Sequence, residues 1–105
     1  MEVNNNTKNL LTFLRFFKTG TWVNTDKFEI PNKTTNAKYL IIATDLSNNF
    51  NHYCLCIAQY NIYQNYTYVL TISNNVISAE TDATDYTAVK FSKSCKYSAI
   101  LIDFS

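Results

Sequence analysis

A change in the hydrophobic period near Trp22 constrains the fold of this chain more than any other feature. Before Trp22 the apolar residues recur at helical spacing, and after it they alternate with polar residues or form short apolar runs. A period of two is typical of β-strands, in which successive side chains point to opposite faces. About seven such segments follow, at residues 27–31, 38–46, 52–60, 66–73, 76–79, 87–91 and 98–104. This series predicts an all-β domain, and we expect an antiparallel, jelly-roll-like β-sandwich of about seven to eight short strands.

The turns between these segments have to form almost without glycine, because the chain contains one glycine and one proline. Asparagine tolerates the left-handed backbone region better than other residues that carry a Cβ. Asn74-Asn75 therefore predicts a two-residue hairpin turn between two strands. Residues 47–51, SNNFN, predict the link between two strong strands, and residues 24–26 and Asn32 mark two further turns.

The N-terminal segment predicts a helix from Thr7 to Thr19, ended by Gly20 in a left-handed conformation. One apolar stripe runs along it, made of Leu10, Phe13, Leu14 and Phe17. Leu11 and Phe16 lie off this stripe, so the helix is apolar on more than one side. Since a helix of three to four turns is marginal alone, it must lie against the domain, another copy or a host assembly. We therefore divide the chain into an N-terminal anchor or oligomerisation helix, residues 1–19, and a β-sandwich domain, residues 20–105.

Charge and hydropathy argue against several classes of partner. The net charge is +1 and no basic residues cluster, so we expect no binding to nucleic acid. The apolar run of residues 10–17 is broken by Arg15 and is far shorter than the roughly 20 residues needed to span a bilayer. The first residues lack the pattern of a signal peptide, and the odd number of cysteines suits a reducing site of synthesis.

Residues 52–60 contain the only histidine and two of the three cysteines. On a strand, His52, Cys54 and Cys56 would share one face, and Cys95 could join them as a fourth soft ligand for zinc. Zinc motifs usually separate paired cysteines by two or more residues, and buried cysteines pack like small hydrophobic residues. We therefore predict core packing, with no metal, no cofactor and no catalytic residue. Asp82 and Asp85 likewise predict a solvated turn, since no calcium-binding spacing surrounds them.

Two of the strongest segments, KYLIIA from Lys38 and HYCLC from His52, are apolar on both faces. An antiparallel sheet with one solvated face should alternate cleanly between apolar and polar residues. We therefore expect the outward face to be covered by another subunit or by the N-terminal helix.

Tyrosines concentrate between residues 53 and 68, mixed with Asn and Gln. Recognition surfaces are rich in Tyr, Ser and Asn, and a flat tyrosine ring can stack on a sugar. Tyr60, Tyr63 and Tyr66 flank the predicted loop 61–65, so we predict that they are exposed and form a possible ligand surface. For most of the tyrosines we favour the simpler explanation, that tyrosine has a high propensity for strands.

The order of these features resembles the small β-sandwich modules of tailed-phage virions: head fibres, capsid decoration proteins and fibre tips. The resemblance covers about residues 20–104 and rests on GTW at 20–22, KFEIP at 27–31, AKYLIIATDL at 37–46 and the Asn-rich turn that follows. It implies a homo-oligomer, commonly a trimer, that is fixed to a capsid or tail through its N-terminal segment.

We therefore expect a non-enzymatic virion structural protein, a head fibre or capsid decoration subunit of a bacteriophage that is made in the host cytoplasm. Its expected partners are itself, as a homotrimer, and other capsid or tail proteins, with the apolar stripe as the anchor. The alternative is a glycan- or receptor-binding fibre module that contacts a host surface glycan through Tyr60, Tyr63 and Tyr66. A metal-dependent or thiol enzyme and a peripheral membrane protein are weaker hypotheses, the latter because the helix carries few basic residues.

Overall fold

The structure of the protein is a computed structural model that describes residues 18–24 and 26–103. This part of the chain is all-β, as predicted, and its strands pair in antiparallel fashion in two sheets. The strands are β1 (Lys18–Trp22), β2 (Phe28–Glu29), β3 (Lys38–Asp45), β4 (Tyr53–Asn61), β5 (Tyr66–Asn75), β6 (Ala79–Thr81), β7 (Ala88–Phe91) and β8 (Cys95–Asp103). The larger sheet has the order β1-β8-β3-β4-β5, and the smaller sheet has the order β2-β7-β6.

The larger sheet is built around β3, which pairs with β8 on one side and with β4 on the other. In this register Ile41 lies opposite both Ala99 and Cys56. Burial alternates along β3 and β4, so that one face of each strand is inaccessible to solvent. The alternation predicted from the sequence is therefore present in both strands, and it places the core on one side of the larger sheet.

The core contains buried residues from both sheets. Its hydrophobic cluster is formed by Trp22, Phe28, Ile30, Ala37, Tyr39, Ile41, Ala43, Cys54, Cys56, Ala58, Tyr60, Ile77, Val89, Phe91, Cys95, Ala99 and Leu101. Phe28 and Ile30 are both buried, as the alternation in residues 27–31 predicted. The aromatic part of the cluster lies near β1, where the rings of Trp22 and Phe91 are 5.5 Å apart at their centroids.

The prediction that a helix continues to Thr19 and ends at Gly20 is wrong for its last residues, because Lys18–Gly20 belong to β1. Gly20 lies opposite Tyr97. A Cβ built on Gly20 would come within 2.6 Å of the Tyr97 hydroxyl oxygen and 2.9 Å of its Cζ atom. The glycine is therefore required for the close approach of an aromatic ring, and not for a left-handed helix end. The remainder of the predicted helix, residues 7–17, lies outside the described residues.

The predicted turn at Asn74-Asn75 is also wrong, because both residues belong to β5 and Asn74 pairs with Cys54. Pairing with β4 overrides the local turn preference of the two asparagines. The strand predicted at 76–79 is replaced by a crossing to the smaller sheet, in which Val76 takes a positive φ of 72° and Ile77 is buried. The Asn-rich link at 47–51 does connect β3 and β4, with Asn48 at a φ of 60°.

Candidate interaction surfaces

The face of the larger sheet that points away from the core is apolar across four strands. Leu40 lies opposite Ile57 on β4 and Ile100 on β8, and Ile57 lies opposite Leu70 on β5. Residues directly opposite each other in antiparallel strands share a face, so these side chains form one row across the sheet. A second row pairs Ile42 with Leu55 and ends at Ser98 on β8 and Ser73 on β5, so it is apolar on the two central strands only. We call these side chains the outer face: Leu40, Ile42, Leu55, Ile57, Leu70 and Ile100.

The outer face carries its charges only at its margins. Lys38, at the start of β3, lies opposite Asp103, and its Nζ is 3.8 Å from the Asp103 carboxylate. Lys96 lies opposite the exposed Thr44 near the other end of β3. A solvated face of an antiparallel sheet normally carries polar residues at its centre. The prediction that β3 and β4 are apolar on both faces is therefore confirmed.

The outer face continues into β5, which is the last strand of the larger sheet. Residues 70–75 of this strand are exposed, whichever face of the sheet they occupy. Leu70 is 65% exposed and Ile72 is 53% exposed, although both are large aliphatic residues. Thr71 lies opposite the buried Cys56 on the core side and is exposed as well. The smaller sheet therefore does not cover the C-terminal half of β5.

A cluster of tyrosines lies where β5 begins. The ring of Tyr66 is 4.8 Å from the ring of Tyr68 and 5.4 Å from the ring of Tyr86, measured between centroids. Tyr86 reaches this position because its carbonyl oxygen accepts a hydrogen bond from the backbone N–H of Thr67. Together with Gln64, which accepts a hydrogen bond from the Tyr68 hydroxyl, the rings line an open cavity of about 500 Å³. We call Tyr66, Tyr68, Tyr86 and Gln64 the tyrosine cluster.

The ligand surface predicted at Tyr60, Tyr63 and Tyr66 needs correction. Tyr60 is only 3% exposed, and its hydroxyl donates a hydrogen bond to the Asn65 side chain. β4 extends to Asn61, so Tyr60 points into the core like Cys54, Cys56 and Ala58. Tyr63 is 87% exposed, as predicted, whereas Tyr66 is half-buried against its two tyrosine neighbours.

The three cysteines are fully buried, so the prediction that they pack in the core is confirmed. Burial raises the pKa of Cys56 to about 12 and that of Cys95 to about 11, and it raises the pKa of Cys54 as well. Thiols with raised pKa values are poor nucleophiles and poor metal ligands at neutral pH. Within residues 18–24 and 26–103, no group of three or more His, Cys, Asp or Glu side chains is arranged to hold a metal ion.

His52 lies in the turn before β4 and pairs with an aspartate rather than with the thiols. Its Nδ1 is 2.5 Å from the carboxylate of Asp45, which the Nζ of Lys93 approaches to 3.5 Å. The hydrogen bond from His52, supported by the backbone N–H of Ser47, holds the pKa of Asp45 well below its usual range. On its other side His52 meets only the amide of Asn49, at 3.3 Å from Nε2. The cluster therefore ties β3 to the start of β4, without a nucleophile beside the imidazole.

The acidic loop between β6 and β7 is more ordered than the predicted solvated turn. Asp82 is 8% exposed, and its Oδ1 accepts hydrogen bonds from the N–H and hydroxyl of Thr84 and the N–H of Asp85. Asp85 in turn accepts hydrogen bonds from the N–H and hydroxyl of Thr87. These carboxylates are used to shape the loop that carries Tyr86, which explains why Asp82 is buried.

Leu10, Phe13, Leu14 and Phe17, the predicted anchor, lie outside the described residues. Sequence reasoning missed Tyr68 and Tyr86 as surface residues. Tyr68 could have been found, because it alternates with Tyr66 on β5 and so shares its face. Tyr86 gave no such signal, since its place beside β5 depends on a tertiary hydrogen bond.

Comparison of the chain with family models, with curated proteins and with solved structures found no match. Among the described residues, no helix is long and apolar enough to cross a membrane.

Proposed function

We propose that this protein is a non-enzymatic structural protein, a subunit of a homo-oligomeric assembly. The observation that carries the proposal is the outer face, which is apolar across four strands where a solvated sheet would be polar. The resemblance in sequence suggests that the assembly is the virion of a tailed phage, with this chain as a head fibre or capsid decoration subunit.

The proposed architecture is a β-sandwich, in which the two sheets lie face to face. Three observations support it: both sheets contribute to one hydrophobic cluster, burial alternates along β3 and β4, and Phe28 on β2 contacts Tyr97 on β8 at 4.8 Å between ring centroids. In this arrangement one face of the larger sheet is the sandwich interior, and the outer face is left for contacts beyond the subunit.

We propose that the outer face is covered by the N-terminal segment, shared between neighbouring copies. Lys18 lies opposite Ala99 at the start of β1, and the next residue of β8, Ile100, belongs to the row of Leu40, Ile57 and Leu70. A helix over residues 7–17 would be about 16 Å long at about 1.5 Å per residue. Four strands at about 4.8 Å spacing span about 14 Å, so the lengths match.

The sharing between copies follows from the composition of that segment. Leu10, Phe13, Leu14 and Phe17 form one stripe, and Leu11 and Phe16 lie off it. A helix that is apolar on more than one side is buried on more than one side. One sheet face can cover only one side, so the second side is expected to meet another copy. Burying an aliphatic side chain contributes about 1.5–3 kcal/mol, so such a contact can hold an oligomer together.

The molar mass of the full chain in solution tests this proposal. We expect a multiple of 12.1 kDa for the natural sequence. Ile57→Lys on the outer face and Phe13→Glu on the stripe should each lower the mass below that of the natural protein, because each places a charge in the contact. Thr44→Glu is the control, since it adds a charge at the exposed margin of the same face, opposite Lys96. A natural protein that is a monomer at all concentrations would contradict the proposal.

The assignment to a virion has its own test. Antibodies against the β domain should label purified native particles, and the Phe13→Glu variant should fail to attach to them. Particles that carry no copy of the chain would remove the virion assignment while leaving the homo-oligomer in place.

The tyrosine cluster favours a second candidate function, the binding of a glycan. Tyr66, Tyr68 and Tyr86 present three rings around one open cavity, with the Gln64 side chain at its rim. Aromatic rings provide a rigid surface for stacking, and the amide and hydroxyl groups provide hydrogen bonds for specificity. Tyr68→Ala and Tyr86→Ala should abolish binding to an array of host-surface glycans, whereas Tyr63→Ala, at an exposed tyrosine outside the cavity, should not. Equal binding by all the variants would show that the tyrosines are scaffolding.

A further inference from the structure

We propose that the free edge of β5 pairs in antiparallel fashion with β5 of a second copy, which joins two five-stranded sheets into one. This inference rests on the proposed function, since it requires that the protein associates with itself. The proposed contact lies at the β5 edge of the larger sheet and is separate from the outer face.

The direction of the backbone groups of β5 can be followed from Thr67. Its N–H donates a hydrogen bond to the Tyr86 carbonyl oxygen at 2.8 Å, and its C=O accepts one from the Thr81 hydroxyl. The backbone of Thr67 therefore points away from β4. Consistently, the N–H of Tyr60, which lies opposite Thr67 on β4, donates to Ala37 on the far side of β4 at 2.9 Å.

The same direction recurs at every second residue of a strand, so the N–H and C=O groups of Val69 and Thr71 also point away from β4. Among residues 18–24 and 26–103, no strand pairs with β5 on that side. Thr81, at the end of β6, and the loop that carries Tyr86 both reach this edge at Thr67. From Val69 onward the edge therefore presents backbone donors and acceptors in the arrangement that an added strand requires.

β5 is neither short nor charged, unlike the other edge strands. Natural edges are protected by short length, lysine, proline, inward-pointing charges, bulges or a covering segment, which prevent pairing with other chains. β1, at the opposite edge, has five residues and includes Lys18, and the edge strands of the smaller sheet have two and three residues. β5 has ten residues, YTYVLTISNN, without a charge or a proline. Between the contact at Thr67 and the register shift near Ile72, this uncharged edge is suited to pairing with another strand.

A second copy of the same strand is the partner that fits. Identical strands that pair in antiparallel fashion are related by a two-fold axis, so the contact closes as a pair of subunits. Like charges opposite each other would oppose such pairing, and β5 has none. The pairing would also cover part of Leu70 and Ile72, the two exposed aliphatic residues of the strand, and extend the outer face across both subunits.

One irregularity limits where the pairing is regular. The register between β4 and β5 shifts between the pairs Leu55–Ser73 and Cys56–Thr71, which leaves Ile72 in a bulge. A bulge bends the strand and increases its twist. The regular part of the free edge is therefore residues 68–71, and we place the two-fold axis within it.

Substitutions at Thr71 in the full-length chain test the inference. Thr71→Pro removes an N–H that β4 does not use, and proline is tolerated on the open side of an edge strand. Thr71→Lys keeps the N–H but places two ammonium groups close together across the two-fold axis. Thr71→Val preserves both the N–H and the strand preference. We expect the first two substitutions to halve the molar mass measured by light scattering, and Thr71→Val to leave it unchanged.

The matched control is Thr19→Lys, which adds the same charge at an exposed position opposite Ser98 in β1, the edge strand at the other end of the sheet. We expect this variant to keep the mass of the natural protein. If the natural protein is oligomeric and both Thr71→Pro and Thr71→Lys keep its mass, the inference is wrong and the proposed function stands. A natural protein that is a trimer and stays a trimer with Thr71→Lys would likewise rule out the β5 pairing and leave the proposed function in place. A natural protein that is a monomer would overturn both, and Thr71→Lys decides the matter if Thr71→Pro fails to fold.

Discussion

The two ends of the five-stranded sheet differ in how completely the subunit covers them. At the β1 end, Trp22 is 2% exposed and packs edge-on against Phe91 of the smaller sheet, and Lys18 lies over the Phe28 ring at 5.0 Å. At the β5 end, Leu70 and Ile72 are more than half exposed, and the strand extends beyond the smaller sheet. The subunit therefore buries core-facing side chains such as Trp22 at the β1 end of the sheet, whereas it leaves the side chains in the C-terminal half of β5 exposed to solvent.

This difference separates the residues that stabilise the subunit from those that we propose to contact a second copy. The aromatic rings of Trp22, Phe28, Phe91 and Tyr97 concentrate contacts between the two sheets at the β1 end. Stability concentrated there allows the β5 end to remain uncharged and open. We therefore expect substitutions at the β1 end to change the free energy of unfolding and substitutions at the β5 end to change association.

The largest expected effect is at Trp22. Trp22→Ala should lower the free energy of unfolding by about 3–5 kcal/mol, because a cavity remains where the buried ring was. Ile72→Ala, at a side chain that is 53% exposed, should change the free energy of unfolding of the monomer by less than about 0.5 kcal/mol. Chemical denaturation at a concentration below that of association measures both. A similar decrease in the free energy of unfolding for both substitutions would contradict the proposed difference between the two ends of the sheet.

Gly20→Ala should cost about 1–3 kcal/mol, because the added Cβ overlaps the Tyr97 ring. The ring has little room to move, since it lies 4.8 Å from Phe28 and stacks on Phe91 at 6.3 Å. The control is the same substitution in a Tyr97→Ala background, where the cost should nearly vanish. An equal cost in both backgrounds would mean that Gly20 is needed for its backbone and not for the ring.

Val76→Asn should stabilise the protein by about 1 kcal/mol. Val76 follows β5 and holds a φ of 72°, which is strained for a β-branched residue and easier for asparagine. Val76→Ala keeps most of the strain and is the matched control, for which we expect no comparable gain. Thermal unfolding of the three proteins measures the effect, and a gain for alanine equal to that for asparagine would remove strain as the cause.

Acid should weaken the subunit through Asp45, which lies on the central strand β3 opposite Cys95. The pKa of Asp45 is lowered in the folded state by the hydrogen bond from His52, so protons bind the unfolded chain more readily. The stabilisation is present above the usual aspartate pKa of about 3.8 and is lost as the pH falls below it. Asp45→Asn should reduce this acid dependence, measured as unfolding free energy from pH 6 to pH 2. An unchanged profile would mean that other carboxylates determine it.

The central strands could be predicted from the sequence because their hydrophobic period is strong and local. β3, β4 and β8 lie within a few residues of the predicted segments, and the apolar character of both faces of β3 and β4 was visible without coordinates. The position of Tyr60 was also within reach, since it shares its parity on β4 with the buried Cys54 and Cys56. The expectation that Tyr60 is exposed rests on its position beside the loop 61–65, whereas the alternation along β4 determines its burial.

The features that could not be predicted depend on contacts between distant parts of the chain. The local sequence around Gly20 predicts a helix end, and only the structure shows that Tyr97 lies against this glycine. In the same way, Asn74-Asn75 predicts a turn, but the pairing of Asn74 with Cys54 keeps both residues in β5. Tyr86 joins Tyr66 only through the hydrogen bond at Thr67. The free edge of β5 belongs to the same group, since the order of strands in a sheet is not visible in the sequence of a single strand.

Residue-resolved amide hydrogen exchange of the natural protein tests the central claim, that β5 is the edge at which copies meet. The amides of Val69 and Thr71 should exchange slowly in the associated protein, as slowly as those of the interior strand β3. On dilution to the monomer they should exchange quickly, while the β3 amides stay protected. Fast exchange at Val69 and Thr71 in a protein that is demonstrably associated would contradict the account.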